Sequence, residues 1–97
     1  MKPIEEMNIG EVMQTTTFAE KLDKQKAKFK GIKELKPVCR ELCDLDNETI
    51  KQLYAEVAAK QCKRLSMVQR SFITALTYRA LKQAINELKE QQKGDEK

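Results

Sequence analysis

Histidine and tryptophan are absent from this sequence of 97 residues, which also contains only three glycines and two prolines. Without histidine, the commonest general base of enzymes is missing and a mixed cysteine–histidine zinc site cannot form. A glycine-rich phosphate-binding loop and a Gly-x-Ser-x-Gly motif are absent as well. We therefore expect a protein that is not an enzyme and that carries neither a metal ion nor an organic cofactor.

Long hydrophobic runs are missing too. No stretch approaches the ~20 consecutive apolar residues that a membrane-spanning helix needs. The first residues, Met-Lys-Pro-Ile-Glu-Glu, lack the apolar segment of a signal peptide. The cysteine count is three, an odd number that fits a reducing compartment better than a disulfide framework. We expect a cytoplasmic protein that does not associate with membranes.

The three cysteines, Cys39, Cys43 and Cys62, have two interpretations. Cys39 and Cys43 are four residues apart, which places them on the same face of a helix. Because free cysteine behaves as a small apolar residue, the first interpretation is that all three belong to the core. The second is a redox pair, or a site for a soft metal ion that includes Cys62.

Acidic residues are missing between Glu56 and Glu87, whereas this stretch contains six lysines and arginines. When Lys and Arg are counted against Asp and Glu, residues 21–40 and residues 60–82 each carry a net charge of +6, although the whole chain carries only +4. Segregated positive charge attracts polyanions more strongly than the same charge spread evenly. The sequence therefore indicates two basic segments that suit a polyanionic partner.

Apolar residues at helical spacing, separated by capping signals, predict an all-α fold. Thr17 with Glu20 and Ser66 with Gln69 have the spacing of a capping box, and Asp46 suits an N-cap. Together these signals predict four helices, over residues 18–30, 36–44, 47–64 and 67–92.

At this length the chain is expected to form one compact four-helix domain, because a chain of this size buries roughly 60–65% of its unfolded surface without a metal or a disulfide. The domain is predicted to cover residues 16–92, with a long C-terminal helix. Residues 1–15 are predicted to form a flexible arm, in which Gly10 interrupts any helix, and residues 93–97 a disordered tail.

Two apolar faces are expected on the last helix. Val68, Phe72, Ala75 and Leu76 make one of them. The other, nearly opposite, consists of Tyr78, Leu81, Ile85 and Leu88. One neighbour cannot cover both faces, so the helix either kinks near Thr77 or crosses to a second surface. The second face is then either intramolecular core or the seam of a homodimer, because its spacing matches a short coiled coil.

Two basic patches are the candidate nucleic-acid-binding sites, since lysine and arginine bind phosphates with release of counterions. The first patch lies around the connection between the third and fourth helices, where Gln69 and Arg70 occupy positions at which a DNA-reading helix contacts bases or phosphates. Its members are Lys60, Lys63, Arg64, Gln69 and Arg70. The second patch contains Lys24, Lys28, Lys30 and Lys33.

Arg79 continues the line of Phe72 and Ala75 on the last helix. Either its aliphatic stem covers the edge of the core while the guanidinium reaches water, or it anchors an acidic group of the second or third helix or of a partner.

From these patterns we expect a small regulator that binds DNA or RNA in a salt-sensitive way. The alternative is a protein-binding adaptor or inhibitor that uses the N-terminal arm and the face containing Tyr78, Leu81, Ile85 and Leu88. Both hypotheses leave room for a homodimer.

Overall fold

A computed structural model describes residues 4–61 and 63–95 of the chain, and in this part of the molecule all the regular structure is helical. A short 3-10 helix, Ile4–Glu6, precedes the α-helices. These are α1 (Ile9–Met13), α2 (Thr16–Lys30), α3 (Pro37–Cys43), α4 (Asn47–Ala58) and α5 (Met67–Asp95). The predicted all-α class and the long C-terminal helix are thus confirmed. The structure adds a fifth α-helix, α1, to the four that were predicted.

The helix starts follow from side-chain capping. The capping box predicted at Ser66 and Gln69 is confirmed, because the backbone N–H of each residue donates to the side-chain oxygen of the other, at 2.9 and 3.3 Å. Asp46 occupies the N-cap of α4, as predicted. The prediction for α2 was wrong by two residues: its cap is Thr15, whose hydroxyl accepts from the Phe18 amide.

Helix α4 ends at Ala58, whereas the sequence predicted a helix up to residue 64. The backbone N–H of Gln61 donates to the Glu56 carbonyl, and that of Lys60 to the Val57 carbonyl. This pair of hydrogen bonds is a Schellman motif, which needs a left-handed residue after the cap. Lys60 has this conformation, with a φ of 58°. The end was missed because glycine is the usual residue at this position and lysine gives no such signal.

The arm predicted for residues 1–15 contains α1, and Gly10 lies inside this helix rather than interrupting it. Asn8 caps α1, since its side-chain oxygen accepts from the Glu11 amide at 2.8 Å. Val12 and Met13 are buried in the core, with exposures of 2% and 8%. The described part of the arm is therefore docked on the domain through apolar contacts.

Helix α5 is continuous from Met67 to Asp95 and packs against every other helix. Its two predicted faces are the edges of one wide buried stripe. Between them lie buried residues that the prediction left out: Ile73, Thr77, Ala80 and Ala84. At 100° per residue the buried positions cover about half of the helix circumference. Several neighbours cover this stripe together, so no kink is required near Thr77.

Helices α2 and α5 run antiparallel, as two contacts at opposite ends show. The Phe29 and Phe72 rings meet edge to face, with centroids 5.2 Å apart. At the other end, the Lys21 ammonium lies 3.0 Å from the Glu87 carboxylate. Phe18 and Leu22 of α2 are fully buried. This pair of helices forms the largest packing interface of the fold.

Several apolar residues at helical spacing are on the surface: in the first predicted face of α5, Val68 is 41% exposed and Ala75 is also exposed. Val38 in α3 precedes Leu42 by four residues, a spacing that predicts a shared helix face, but Val38 is 42% exposed, whereas Leu42 is 6% exposed. The difference arises because α3 is only seven residues long and turns Cys39, Leu42 and Cys43 inward instead. Within residues 4–61 and 63–95, no helix has the length and apolarity required to cross a membrane.

Candidate nucleic-acid interface

The first predicted patch lies on the connection between α4 and α5, where Lys60, Lys63 and Arg64 are exposed. The polar side chains of Arg64, Gln69 and Arg70 form contacts with neighbouring residues of the protein. The Arg64 guanidinium pairs with the Glu56 carboxylate at 2.7 Å, and the Nε of Arg70 donates to the Leu65 carbonyl at 3.1 Å. The Gln69 side chain is held in the capping box of α5. For Lys60 and Lys63, no such side-chain contact is found within residues 4–61 and 63–95.

The second predicted patch divides between two surfaces. Lys24 and Lys28 are about 40° apart on α2, whereas Lys30 is turned about 240° from Lys24. Lys30 consequently faces α3, where it forms an ion pair with Asp44. Lys33 is exposed in the connection between α2 and α3. Lys24 and Lys28, in contrast, face α5.

A surface groove of about 510 Å³ lies along the edge of the interface between α2 and α5 and is lined by residues of both helices. We call it the basic groove. Its charged residues are Lys28, Arg79 and Lys82, and no aspartate or glutamate lines it. The remaining members are Gln25, Ala75, Tyr78, Gln83 and Asn86. Among the described residues, no carboxylate forms an ion pair with any of the three cations. The groove thus brings together three positive charges that have no counter-ion in the part of the chain that the structure describes.

Arg79 is held in the groove by an aromatic ring. Its guanidinium carbon lies 5.5 Å from the centroid of the Phe29 ring, in a cation–π arrangement. Phe29 is in turn fixed by its edge-to-face contact with Phe72. A stacked guanidinium is oriented without the use of its hydrogen-bond donors. Neither predicted role of Arg79 included this contact, which leaves its donors directed to solvent or to a ligand.

Gln25 is the polar residue at the base of the groove. It is 4% exposed, and its Oε1 atom is buried without a hydrogen-bond partner in the part of the chain that the structure describes. A buried acceptor without a partner costs ~1–3 kcal/mol. Gln25 therefore leaves an unused acceptor beside three cations.

An apolar patch adjoins the basic groove, formed by Ile9, Tyr54, Tyr78, Leu81 and Ile85. Lys82 and Asn86 border this patch, so the two surfaces have Tyr78, Lys82 and Asn86 in common. Tyr78 is the most exposed aromatic side chain of the fold at 59%. A positively charged groove and an aromatic surface are therefore continuous across α5.

The predicted dimer seam is mostly intramolecular core. Leu81 and Leu88 are 5% and 3% exposed and Ile85 is half-buried, so the core interpretation holds for these residues. Tyr78 remains on the surface because it lies outside the buried stripe, about 60° beyond Leu81 around the helix axis. The four residues do not form one exposed line.

Of the three cations in the basic groove, Lys28 was predicted from the sequence as a site residue. Arg79 and Lys82 were noted as part of the stretch without acidic residues, but the sequence of α5 does not indicate which part of α2 packs beside them. Gln25 and Asn86 were missed because a lone amide on a helix has no pattern. The absence of acidic residues near Arg79 and Lys82 was the available signal.

Cys39 and Cys43 are buried and are not joined in a disulfide. Burial, followed by the neighbouring Asp44 carboxylate, raises the pKa of the Cys43 thiol above its ordinary value. A raised pKa keeps the thiol protonated, which suits a core residue better than a reactive one. Cys62 lies outside the described residues. Within residues 4–61 and 63–95, no three cysteine, histidine or acidic side chains are grouped so that they could hold a metal ion.

No protein-family model, curated protein or solved structure matches this chain. The basic groove and the apolar patch are therefore the features of the molecule that bear on function.

Proposed function

We propose that this protein is a small non-enzymatic regulator that binds nucleic acid through the basic groove between α2 and α5. The observation that carries the proposal is the guanidinium of Arg79, which stacks on Phe29 and has no carboxylate partner among the described residues. Surface arginines without a counter-ion are suited to phosphate, which the planar fork binds through two parallel hydrogen bonds.

Lys28 and Lys82 add two positive charges to the same groove. Lys24 lies outside the groove, in a neighbouring depression that also contains the carboxylates of Glu87 and Glu90, so it is not counted among the groove cations. Successive phosphates of a nucleic-acid strand offer negative charges at regular spacing, so several cations can be neutralised by one strand. Such contacts depend on salt, because every neutralised phosphate releases counterions.

The test compares two triple variants with equal loss of charge. In the groove variant, Lys28, Arg79 and Lys82 are all replaced by Gln; in the control, Lys33, Lys60 and Lys63 are. Affinity for labelled DNA and RNA is measured by fluorescence anisotropy across a salt series. We expect the groove variant to bind roughly tenfold more weakly or worse at moderate salt, with a salt slope lower by about 2 for a single strand.

The control variant should retain binding within about twofold, because its lysines lie outside the groove and only nonspecific attraction is lost. The opposite pattern would transfer the activity to the inter-helix connections that carry Lys33, Lys60 and Lys63. If the unaltered protein shows no salt-sensitive binding to either nucleic acid, the proposed function is wrong.

A protein-binding adaptor or inhibitor is the second candidate, because the apolar patch is exposed at Ile9 and Tyr78. The burial of Val12, Met13, Leu81 and Leu88 leaves it a smaller surface than the sequence suggested. A homodimer through Tyr78 belongs to the same candidate. Light scattering on the unaltered protein and on Tyr78→Glu tests it: a dimer that becomes a monomer in the variant would favour this candidate over an isolated nucleic-acid binder.

A further inference from the structure

We infer that the preferred ligand of this surface is single-stranded nucleic acid, with a phosphate in the basic groove and the neighbouring base stacked on Tyr78. This inference rests on the proposed function and adds the strandedness of the target. The observation behind it is the continuity of two unlike surfaces, which share Tyr78, Lys82 and Asn86.

A nucleotide has the same division into unlike parts. Its phosphate is an anion, and its base has an apolar, aromatic face with hydrogen-bonding edges. In a duplex the base faces are stacked on one another, so only the phosphates and groove edges are accessible. In a single strand the bases can turn outward and stack on aromatic side chains. The charged groove would serve both kinds of nucleic acid, but the exposed Tyr78 ring beside it serves only the single strand.

The environment of Tyr78 is suited to such stacking. Its side chain is 59% exposed, and Ile9 beside it is 54% exposed, so one face of an aromatic ligand has room to lie there. Lys82 lies in both the groove and the patch. A cation beside a stacked base can contact its phosphate or sugar.

Gln25 gives a second, independent indication of a ligand. The residue is 96% buried, counted from its 4% exposure, and its Oε1 has no partner within the described chain. Gln25 lines the groove, and because the terminal amide torsion of glutamine is broad, rotation about it can turn this oxygen toward a bound ligand. A nucleobase supplies N–H donors for it, whereas a carboxylate or a phosphate supplies acceptors only. The groove thus offers both cations for a phosphate and an acceptor for a base.

The experiment measures the affinity of the whole protein for a labelled single strand and for the duplex of the same sequence and length, at the same salt. Three variants are compared with the unaltered protein: Tyr78→Leu, Tyr78→Phe and Gln25→Met. We expect the single strand to bind at least about tenfold more tightly than the duplex. Tyr78→Leu should lower single-strand affinity about 5- to 150-fold, the range for loss of one stacked base.

Tyr78→Phe should retain binding, because it keeps the ring, and neither substitution of Tyr78 should change duplex affinity. Gln25→Met should lower single-strand affinity about 2- to 12-fold without a change in salt slope, because it removes a hydrogen bond and no charge. Circular dichroism of each variant checks that the fold is retained.

The failures can be told apart. Salt-sensitive binding that is equal for both forms and insensitive to Tyr78→Leu would overturn this inference and leave the proposed function standing. No binding to either form would overturn both. Two further ligands complete the test. A free mononucleotide that binds as tightly as the strand would contradict a single-strand target. Displacement of the strand by polyglutamate at equal charge concentration would contradict it as well.

Discussion

Thr77 provides a sharp test of the packing in α5, because it is a polar residue in the middle of the buried stripe. Its side chain is fully buried, with 0% exposure, and its hydroxyl has no hydrogen-bond partner among the described residues. A threonine inside a helix ordinarily bonds the carbonyl four residues earlier. Thr74, one turn before, makes this bond to the Arg70 carbonyl at 2.9 Å.

Replacement of Thr77 by Val keeps the shape of the side chain and removes the unpaired hydroxyl. A buried polar group without a partner costs ~1–3 kcal/mol, while valine and threonine have similar helix propensities. We therefore expect Thr77→Val to raise the free energy of unfolding by about 1–3 kcal/mol. In a domain of this size each kilocalorie shifts the Tm by about 4–8 °C. Urea unfolding followed by circular dichroism gives both the midpoint and the slope.

Thr74→Val is the matched control. Thr74 is exposed and hydrogen-bonded, so its replacement should change stability by no more than about 0.5 kcal/mol. Thr77→Ser keeps the hydroxyl and loses a methyl group, which should cost about 1 kcal/mol. If Thr77→Val destabilises the protein while Thr74→Val does not, the Thr77 hydroxyl must have a partner, and the reasoning from an unpaired buried group is refuted.

Four further predictions concern stability. Leu76→Ala should cost ~2–5 kcal/mol in urea unfolding, because Leu76 is fully buried; a loss below about 1 kcal/mol would contradict the placement of α5. Ser66→Ala should cost about 0.5–2 kcal/mol through the lost capping box, whereas Ser71→Ala, on the exposed side of α5, should not. Lys60→Gly should raise the Tm, because glycine relieves the left-handed strain of about 1 kcal/mol; a lower Tm would refute that strain. The raised pKa of Cys43 means that the unfolded chain loses its thiol proton first, so stability should fall as pH rises above about 8.5. Cys43→Ala should weaken this decline, and an equal decline in both proteins would count against the raised pKa.

The elements that the sequence predicted well are those governed by local contacts. The capping box at Ser66 and Gln69 involves atoms three residues apart, so the fourth predicted helix begins at the expected residue. The end of α4 was predicted poorly although it is also local. Its Schellman turn is formed by Lys60 in a conformation that glycine usually adopts, and packing in the folded chain maintains it.

The candidate site was predicted only in part, because its formation depends on distant residues. The sequence indicated that residues 21–40 and 60–82 are basic, but it grouped lysines by their proximity along the chain. In the fold, Lys30 turns away to Asp44, and Lys28 meets Arg79 and Lys82 across the α2–α5 groove. These partners are about fifty residues apart in the sequence. Which residues face one another depends on the antiparallel register of two helices, and no local pattern encodes it.

The sequence by itself therefore determined the helical class, the start of the long helix α5 and the two basic segments, because periodicity, capping and charge are properties of neighbouring residues. Only the tertiary structure decided which side chains form the basic groove. The buried stripe of α5 sets the rotation of this helix against α2, and that rotation places Arg79 on Phe29, Gln25 at the base of the groove and Tyr78 at its exposed edge. Side-chain packing across helices fixes this rotation, and it exists only once the chain has folded.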